Sequence, residues 1–340
     1  MRTEEFDYSL PKELIAQAPQ GERSASRLLV LDRKGESIEH WRFRDLDGLL
    51  KEKDLLVIND TRVIPARLPA RKETGGAIEI LLVEQVDAGR WSCLVSGVAR
   101  ALRETSVYVG DYQVGLKAGT PFWTVELPAG VDAAQLMAEH GIMPLPHYIK
   151  RERHQRCQED YERYQTIYAR EGGSIAAPTA GLHFDKDLLG RITDKGVAVV
   201  AITLHIGIGT FFLVKSESVE SHEMHREYYT VSAEVMEAVR KTRQDGGRVV
   251  AVGTSAVRTL ETVFSASNGR GLSGHTDLFI YPGYTFKAVD ALITNFHLPR
   301  STPLLLVCAF AGSQTIEKAY GEAIKRGYRF YSYGDAMFIS

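Results

Sequence analysis

The sequence predicts an α+β protein: a main domain built on a mixed sheet of α/β type, interrupted by a small all-β barrel. Two observations predict this. Apolar runs of strand length, bounded by charged residues or glycine, alternate with helical patterns through most of the chain. Between Ala66 and Pro144 the pattern changes to short strands separated by glycine-containing turns.

Taken in order, Arg27 to Leu31 and Leu55 to Ile58 read as buried strands, rich in Val, Leu and Ile. The insert supplies Ile78 to Gln85, Trp91 to Val95, Ser106 to Val109 and Pro121 to Leu127. Asp185 to Lys195 is a helix stopped by Gly196, and Val197 to Leu204 is the strand after it. Ser232 caps a helix reaching Gln244, with Gly246 near its stop; Val249 to Val252 is a strand, and Thr315 to Lys325 a helix ending before Gly327. The expected domains are residues 1–63 with 147–340, which form the catalytic part, and 64–146, which form the barrel.

Hydrophobic residues make up 44% and charged residues 25%, with 12 prolines, which excludes disordered and fibrous classes. The 41 basic and 43 acidic residues give a net charge of −2, so a polyanionic partner must be held by local patches. Such patches flank the insert: Arg62, Arg67, Arg71 and Lys72 on one side, Lys150, Arg151, Arg153 and Arg156 on the other. Either basic charge gathers where the two domains meet or this is a solvated linker, since Glu159, Asp160 and Glu162 follow at once. Cysteines at 93, 157 and 308 have neither zinc nor redox spacing, as suits a reducing cytoplasm. Met1 to Glu5 lacks an apolar core and Pro303 to Gly312 is too short to cross a bilayer, so neither export nor membrane anchoring is expected.

Several motifs fail on inspection. Gly207 and Gly209 are followed by Phe212 where a dinucleotide turn needs glycine, and Gly110 to Gly115 is followed by Leu116 and Lys117, not by a Walker Lys-Ser or Lys-Thr. Gly253 to Val257 lacks the closing glycine of a nucleophile elbow. His222 and His225 have no third ligand, so no metal is expected.

Three segments look like a site. Gly172 to Phe184 is dominated by Gly, Ser, Ala, Thr and Pro, so its backbone can approach a ligand and set His183 and Phe184 beside it; a tightly packed connection with a satisfied histidine is the other reading. His205 ends a strand just before Gly207 and Gly209, where open sheets bind ligands. Thr294 to Thr302 packs Asn295, His297 and Arg300 ahead of an apolar run. The chain's 15 tyrosines, Tyr284 among them, include rings in polar surroundings that can stack on nucleobases, although core packing accounts for most.

Across nearly its whole length the sequence resembles the S-adenosylmethionine:tRNA ribosyltransferase-isomerases of queuosine biosynthesis. The resemblance rests on Phe6-Asp-Tyr-Ser-Leu-Pro11, Ser26-Arg-Leu-Leu-Val30, Asn59-Asp-Thr-Arg-Val-Ile-Pro-Ala-Arg67 and Ala177-Pro-Thr-Ala-Gly-Leu-His-Phe184. It continues through Thr203-Leu-His205, Gly209-Thr-Phe211, Asn295-Phe-His-Leu-Pro299 and Ser332-Tyr-Gly-Asp-Ala-Met337. Ala256, where the family carries a hydroxyl, and Leu213, His147 and Pro303 depart from the pattern.

The resemblance implies that the ribosyl part of S-adenosylmethionine is transferred and isomerised onto a 7-aminomethyl-7-deazaguanine in the tRNA wobble position. Epoxyqueuosine would form, with release of adenine and methionine. S-adenosylmethionine is then a co-substrate, no cofactor is tightly bound, the tRNA carrying the precursor is the partner, and a monomer is expected. Protons on the ribose carbon beside the sulfonium are acidified, so a base is needed, for which His205, His183 and His297 are candidates in that order. Asp60 or Asp335 would orient the attacking amine. Ala177, Thr179, Gly181, Phe184, Gly209, Thr210, Phe211, Thr254, Arg258, Tyr284 and Asn295 are expected to line the substrate pocket. Arg62, Arg67, Lys150, Arg151 and Arg153 would meet tRNA phosphates, with Arg27 close by. A non-catalytic RNA-binding protein is the alternative, and an enzyme acting on a free nucleotide the third reading.

Overall fold

The four apolar runs are all strands of one sheet in the computed structural model, which describes residues 1–35, 37–99, 102–152, 156–265 and 271–340, and only the backbone of Thr210 and Phe211. Strands β1 (Arg27–Asp32), β2 (Ser37–Arg42), β3 (Leu55–Asn59) and the short β4 (Thr61–Val63) come first. The insert follows with β5 (Arg67–Arg71), β6 (Ala77–Asp87), β7 (Arg90–Ser96), β8 (Glu104–Val109), β9 (Tyr112–Lys117) and β10 (Trp123–Glu126), then helices α1 (Ala133–His140) and α2 (Gln158–Arg163). Next are β11 (Glu171–Ser174), α3 (Lys186–Asp194), β12 (Ala198–Leu204), β13 (Glu227–Thr230), α4 (Ala233–Gln244), β14 (Val249–Val252) and α5 (Thr254–Ser265). The chain ends with β15 (Ser273–Thr276), β16 (Ala291–Asn295), α6 (Thr302–Ala311), α7 (Ser313–Lys325) and β17 (Ala336–Ile339).

Two units result. One comprises Met1–Arg62, His147–Ile149 and Gln165–Ser340, the other Val63–Pro146 with Lys150–Tyr164. The first contains a nine-stranded mixed sheet in the order β15-β13-β12-β3-β14-β16-β17-β1-β2. Strands β12, β3, β14 and β16 run parallel, with Ala198 beside Leu55, Val249 beside Leu55 and Val250 beside Ala291. Strand β17 runs antiparallel to β16, and β1 runs parallel to β17.

Side chains alternate across this sheet, so each strand feeds two cores. Leu55, Val57, Ile202, Val249, Ala251 and Leu292 face α4 to α7. Leu56, Ile58, Val250, Val252, Ala291 and Ile293 face α3 and the 3₁₀ turns of Phe43–Gly48 and Thr179–His183. Helix α6 is buried nearly all round, which is why Pro303 to Gly312 shows no helical periodicity. The segment that lacks the closing glycine of a nucleophile elbow is the start of α5, reached through Gly253 at φ +88°.

The second unit is a closed barrel in the order β10-β7-β6-β5-β8-β9. Its interior is filled by alternate residues of each strand: Ile78, Ile80 and Leu82, Val107 and Val109, Val114 and Leu116. Strands β5 and β9 escaped the sequence reading. Pro69 and flanking arginines disguise the first, and Gly115 interrupts the second. No helix among the described residues is long and apolar enough to cross a membrane.

Candidate active site at the carboxyl edge of the sheet

Parallel strands end together, so Leu204, Asn59, Val252 and Asn295 lie along one edge of the sheet. The antiparallel β13 and β17 begin there, with Glu227 and Ala336, and so does β1 with Arg27. Polar groups concentrate on this edge because the strands' apolar runs stop there.

Asn59 ties the central strands together. Its Nδ2 donates to the Leu204 carbonyl and to Ser255 Oγ, both at 3.1 Å, while its Oδ1 accepts from the backbone N–H groups of Thr61 and Leu204. Asp60, also buried, accepts at Oδ1 from Thr203 Oγ1 (2.6 Å) and at Oδ2 from Arg170 Nη2 (2.7 Å). Both oxygens are thus engaged. Asp335 is fully buried and accepts from the backbone N–H of Arg27 and of Arg329, each at 2.8 Å, and from Arg27 Nε at 3.1 Å.

Differences between the three candidate histidines are sharp. His183, 4% exposed, faces Ser26 Oγ through Nδ1 (2.7 Å) and Asn295 Nδ2 through Nε2 (3.2 Å). An amide nitrogen only donates, so Nε2 accepts, and Nδ1–H donates to Ser26. Burial pushes this imidazole down to about 4. His297 meets Thr294 Oγ1 through Nε2 at 2.6 Å, and burial pushes it down to about 3. His205 meets Thr61 Oγ1 through Nδ1 at 2.8 Å. Burial lowers it too, opposed by the nearby carboxylates of Glu171 and Asp60, and its Nε2 has no hydrogen-bond partner among the described residues.

These histidines share the edge without forming one cluster. From β12 to β16 is three strand spacings, about 14 Å. His183 packs against Phe43 on the α3 face, with ring centroids 4.9 Å apart. His297 turns to Thr294, which alternation places on the face of Leu292 and α4 to α7.

The small-residue segment is close-packed. Ala177, Ala180, Gly181 and Phe184 are buried, and a Cβ on Gly181 would lie 2.2 Å from the Tyr168 hydroxyl. Thr179 is partly exposed on the 3₁₀ turn. Asp185, which follows Phe184, caps α3 by accepting from the backbone N–H of Leu188. Gly209 lies beside His225, where a Cβ would sit 3.5 Å from its side chain; the side chains of Thr210 and Phe211 lie outside the described residues. Thr254 opens α5 at the edge, and Arg258, one turn on, pairs with Glu227 and donates from Nε to the Leu278 carbonyl. Glu227 in turn accepts from the Gly207 backbone N–H at 2.8 Å. Tyr284 is not brought to this edge. It bonds Ser265 Oγ (2.9 Å) and Glu261 (3.1 Å) toward the far end of α5, about 16 Å from Thr254.

The basic residues fall in different surroundings. Arg62 and Lys150 are exposed. Arg67 pairs with Glu79 (2.9 Å) and Arg151 with buried Asp160 (2.7 Å). Arg27 is held by Asp335 and lies over the Tyr328 ring, 4.1 Å from its centroid. Arg153 lies outside the described residues. Sequence reasoning did not single out Asn59, Thr61, Glu227 and Tyr228; a polar triplet following an apolar strand was the available signal for the first two. Among the described residues, no group of three or more His, Cys, Asp or Glu could hold a metal ion.

A sheet covered on both faces, with polar groups gathered where parallel strands end, is the class of α/β architecture in which ligands are generally bound at the strand edge. A family model described as queuosine biosynthesis protein matches residues 3–339. The S-adenosylmethionine:tRNA ribosyltransferase-isomerase of Thermotoga petrophila is 51% identical over 340 residues, covering 100% of both chains. That of Symbiobacterium thermophilum is also 51% identical, over 348 residues, again covering both chains fully. The crystal structure of S-adenosylmethionine tRNA ribosyltransferase from Thermotoga maritima covers 99% of this chain and 100% of its own at 40% identity and a TM-score of 0.58. The chain belongs to the queuosine biosynthesis protein family.

Proposed function

We propose that the chain is an S-adenosylmethionine:tRNA ribosyltransferase-isomerase. It moves and isomerises the ribosyl group of S-adenosylmethionine onto the aminomethyl group of a 7-deazaguanine in tRNA, forming epoxyqueuosine. Half of the residues are shared with relatives of that name along the entire chain, and this observation carries the reading. S-adenosylmethionine is consumed as a substrate, and residues 1–63 with 147–340 are the catalytic part.

In this reading His205 is the base. Its Nε2 has no hydrogen-bond partner among the described residues, and burial keeps the imidazole neutral near pH 7, so the lone pair can take a proton from the ribose carbon beside the positive sulfur. His183 spends its acceptor nitrogen on Asn295, His297 engages Thr294 through Nε2, and both hold the edge in shape. Asp60 and Asp335 act the same way, on Arg170 and Thr203 and on Arg27 and Arg329. Gly181, Gly209, Thr179, Thr254 and Arg258 line the substrate, and Arg62, Arg67, Lys150, Arg151 and Arg153 meet tRNA phosphates, with Arg27 close by.

The test is incubation with S-adenosylmethionine and precursor-bearing tRNA. Adenine release that requires that tRNA is expected. RNA binding without adenine, or turnover without RNA, would sink the proposal. His205→Ala should cut turnover roughly 100-fold or more while leaving tRNA affinity within a few fold.

A further inference from the structure

An imidazole is a base only through the nitrogen that carries no proton, so whatever occupies the other nitrogen decides whether it works. For His205 that neighbour is Thr61, which is fully buried at the start of β4. Thr61 Oγ1 lies 2.8 Å from His205 Nδ1 and 3.5 Å from the Glu171 carbonyl oxygen. A carbonyl can only accept, and a hydroxyl has one proton to give. With that proton on Glu171, the threonine oxygen presents a lone pair to the ring, which requires Nδ1–H and leaves Nε2 bare.

Two further contacts fix where Nε2 points. The His205 backbone N–H donates to the Tyr228 carbonyl at 2.9 Å, and the Tyr228 ring stacks on the imidazole at 6.0 Å and 21°. Over the ring lies Gly173 of β11, at φ +148°, where a Cβ would come within 2.9 Å of Nε2 and 3.0 Å of Cδ2 and of Cε1. Any side chain at this position would collide with the face of the imidazole and push it off its seat. Charged and titratable groups facing the ring are the Glu171 and Asp60 carboxylates, the latter engaged by Arg170, and Tyr228 with His275 packed beyond it.

We propose that Thr61 is a positioning residue that holds His205 as the Nδ1-protonated tautomer, and that Gly173 leaves the room the ring needs to be held there. This rests on His205 being the base.

The experiment combines nitrogen-15 NMR of histidine-labelled full-length protein with adenine-release kinetics, using His205→Gln to assign the His205 signals. The parent should show the Nδ1–H pattern at His205. Thr61→Val, nearly isosteric, should shift it toward Nε2–H, lower kcat about tenfold or more at unchanged KM for tRNA, and move the acidic limb of the pH–rate profile. Thr61→Ser should restore all three. An Nε2–H signal in the parent overturns the proposal without need of any variant, and so does a Thr61→Val enzyme with parental tautomer and kcat. If His205→Gln turns over like the parent while the tautomer follows Thr61, the base assignment falls and the tautomer assignment stands.

Discussion

The deepest consequence of the edge's construction is an acid sensitivity traceable to one buried ring. His183 is 4% exposed, with both nitrogens committed to Ser26 and Asn295, and burial holds it down to about 4. In the unfolded chain a histidine titrates near 6.5. Between those values the unfolded state binds a proton that the folded state refuses, so stability present above about pH 6.5 is lost as pH falls toward 4. At 1.36 kcal/mol per pH unit, lowering the pH from 7 to 5 costs about 2 kcal/mol through this residue, rising to about 3 kcal/mol below pH 4. His183→Gln removes the titration while keeping an amide able to face both partners. The assay is urea unfolding at pH 7 and pH 5, read by hydrogen exchange in β3 and β14 so that the sheet unit is followed apart from the barrel. The parent should lose about 2 kcal/mol more than the variant between these pH values. Parallel losses in the two proteins would refute the account of His183 as a neutral, sealed imidazole.

Other expectations follow from single contacts. Asp335→Ala strips the acceptor from Arg27 Nε and two backbone N–H groups and should cost roughly 3 kcal/mol, seen in calorimetry as a fall in Tm of several degrees; an unchanged Tm would mean the loop re-satisfies those donors. Gly173→Ala should lower kcat with little change in tRNA affinity, measured by adenine release and filter binding, because its Cβ collides with the face of the His205 ring and displaces it. Gly190→Ala, in α3 with nothing within 4 Å of the added carbon, should raise stability by about 0.5–1 kcal/mol in urea titration. Arg62→Ala should reduce the salt slope of tRNA binding by about 1, and Arg151→Ala by less, since Asp160 already neutralises Arg151.

Much of the frame was legible because burial on both faces leaves a plain mark. Val249 to Val252 is a strand with those bounds, and Ser232 caps α4 as its spacing with the helix suggests, accepting from the Val235 N–H. Polar edge strand β2 and helix α6 were not legible: the first alternates exposed charges, and the second is apolar all round. At the candidate site the residue types were visible and their employment was not. Sequence order cannot show that Asn295 occupies His183 Nε2, or that Thr61 reaches His205 across 144 positions.

Apolar periodicity and glycine punctuation, both local properties of the chain, by themselves determined β1, β3, β12 and β14 of the central sheet, the presence of the barrel insert and the segments that carry polar groups. Only the tertiary structure decided which of those groups is free to act. A hydrogen bond commits a lone pair or a proton to one partner, and partners distant in sequence meet only when parallel strands end side by side. That meeting left His205 Nε2 without a hydrogen-bond partner among the described residues, while His183 and His297 were bound into the edge.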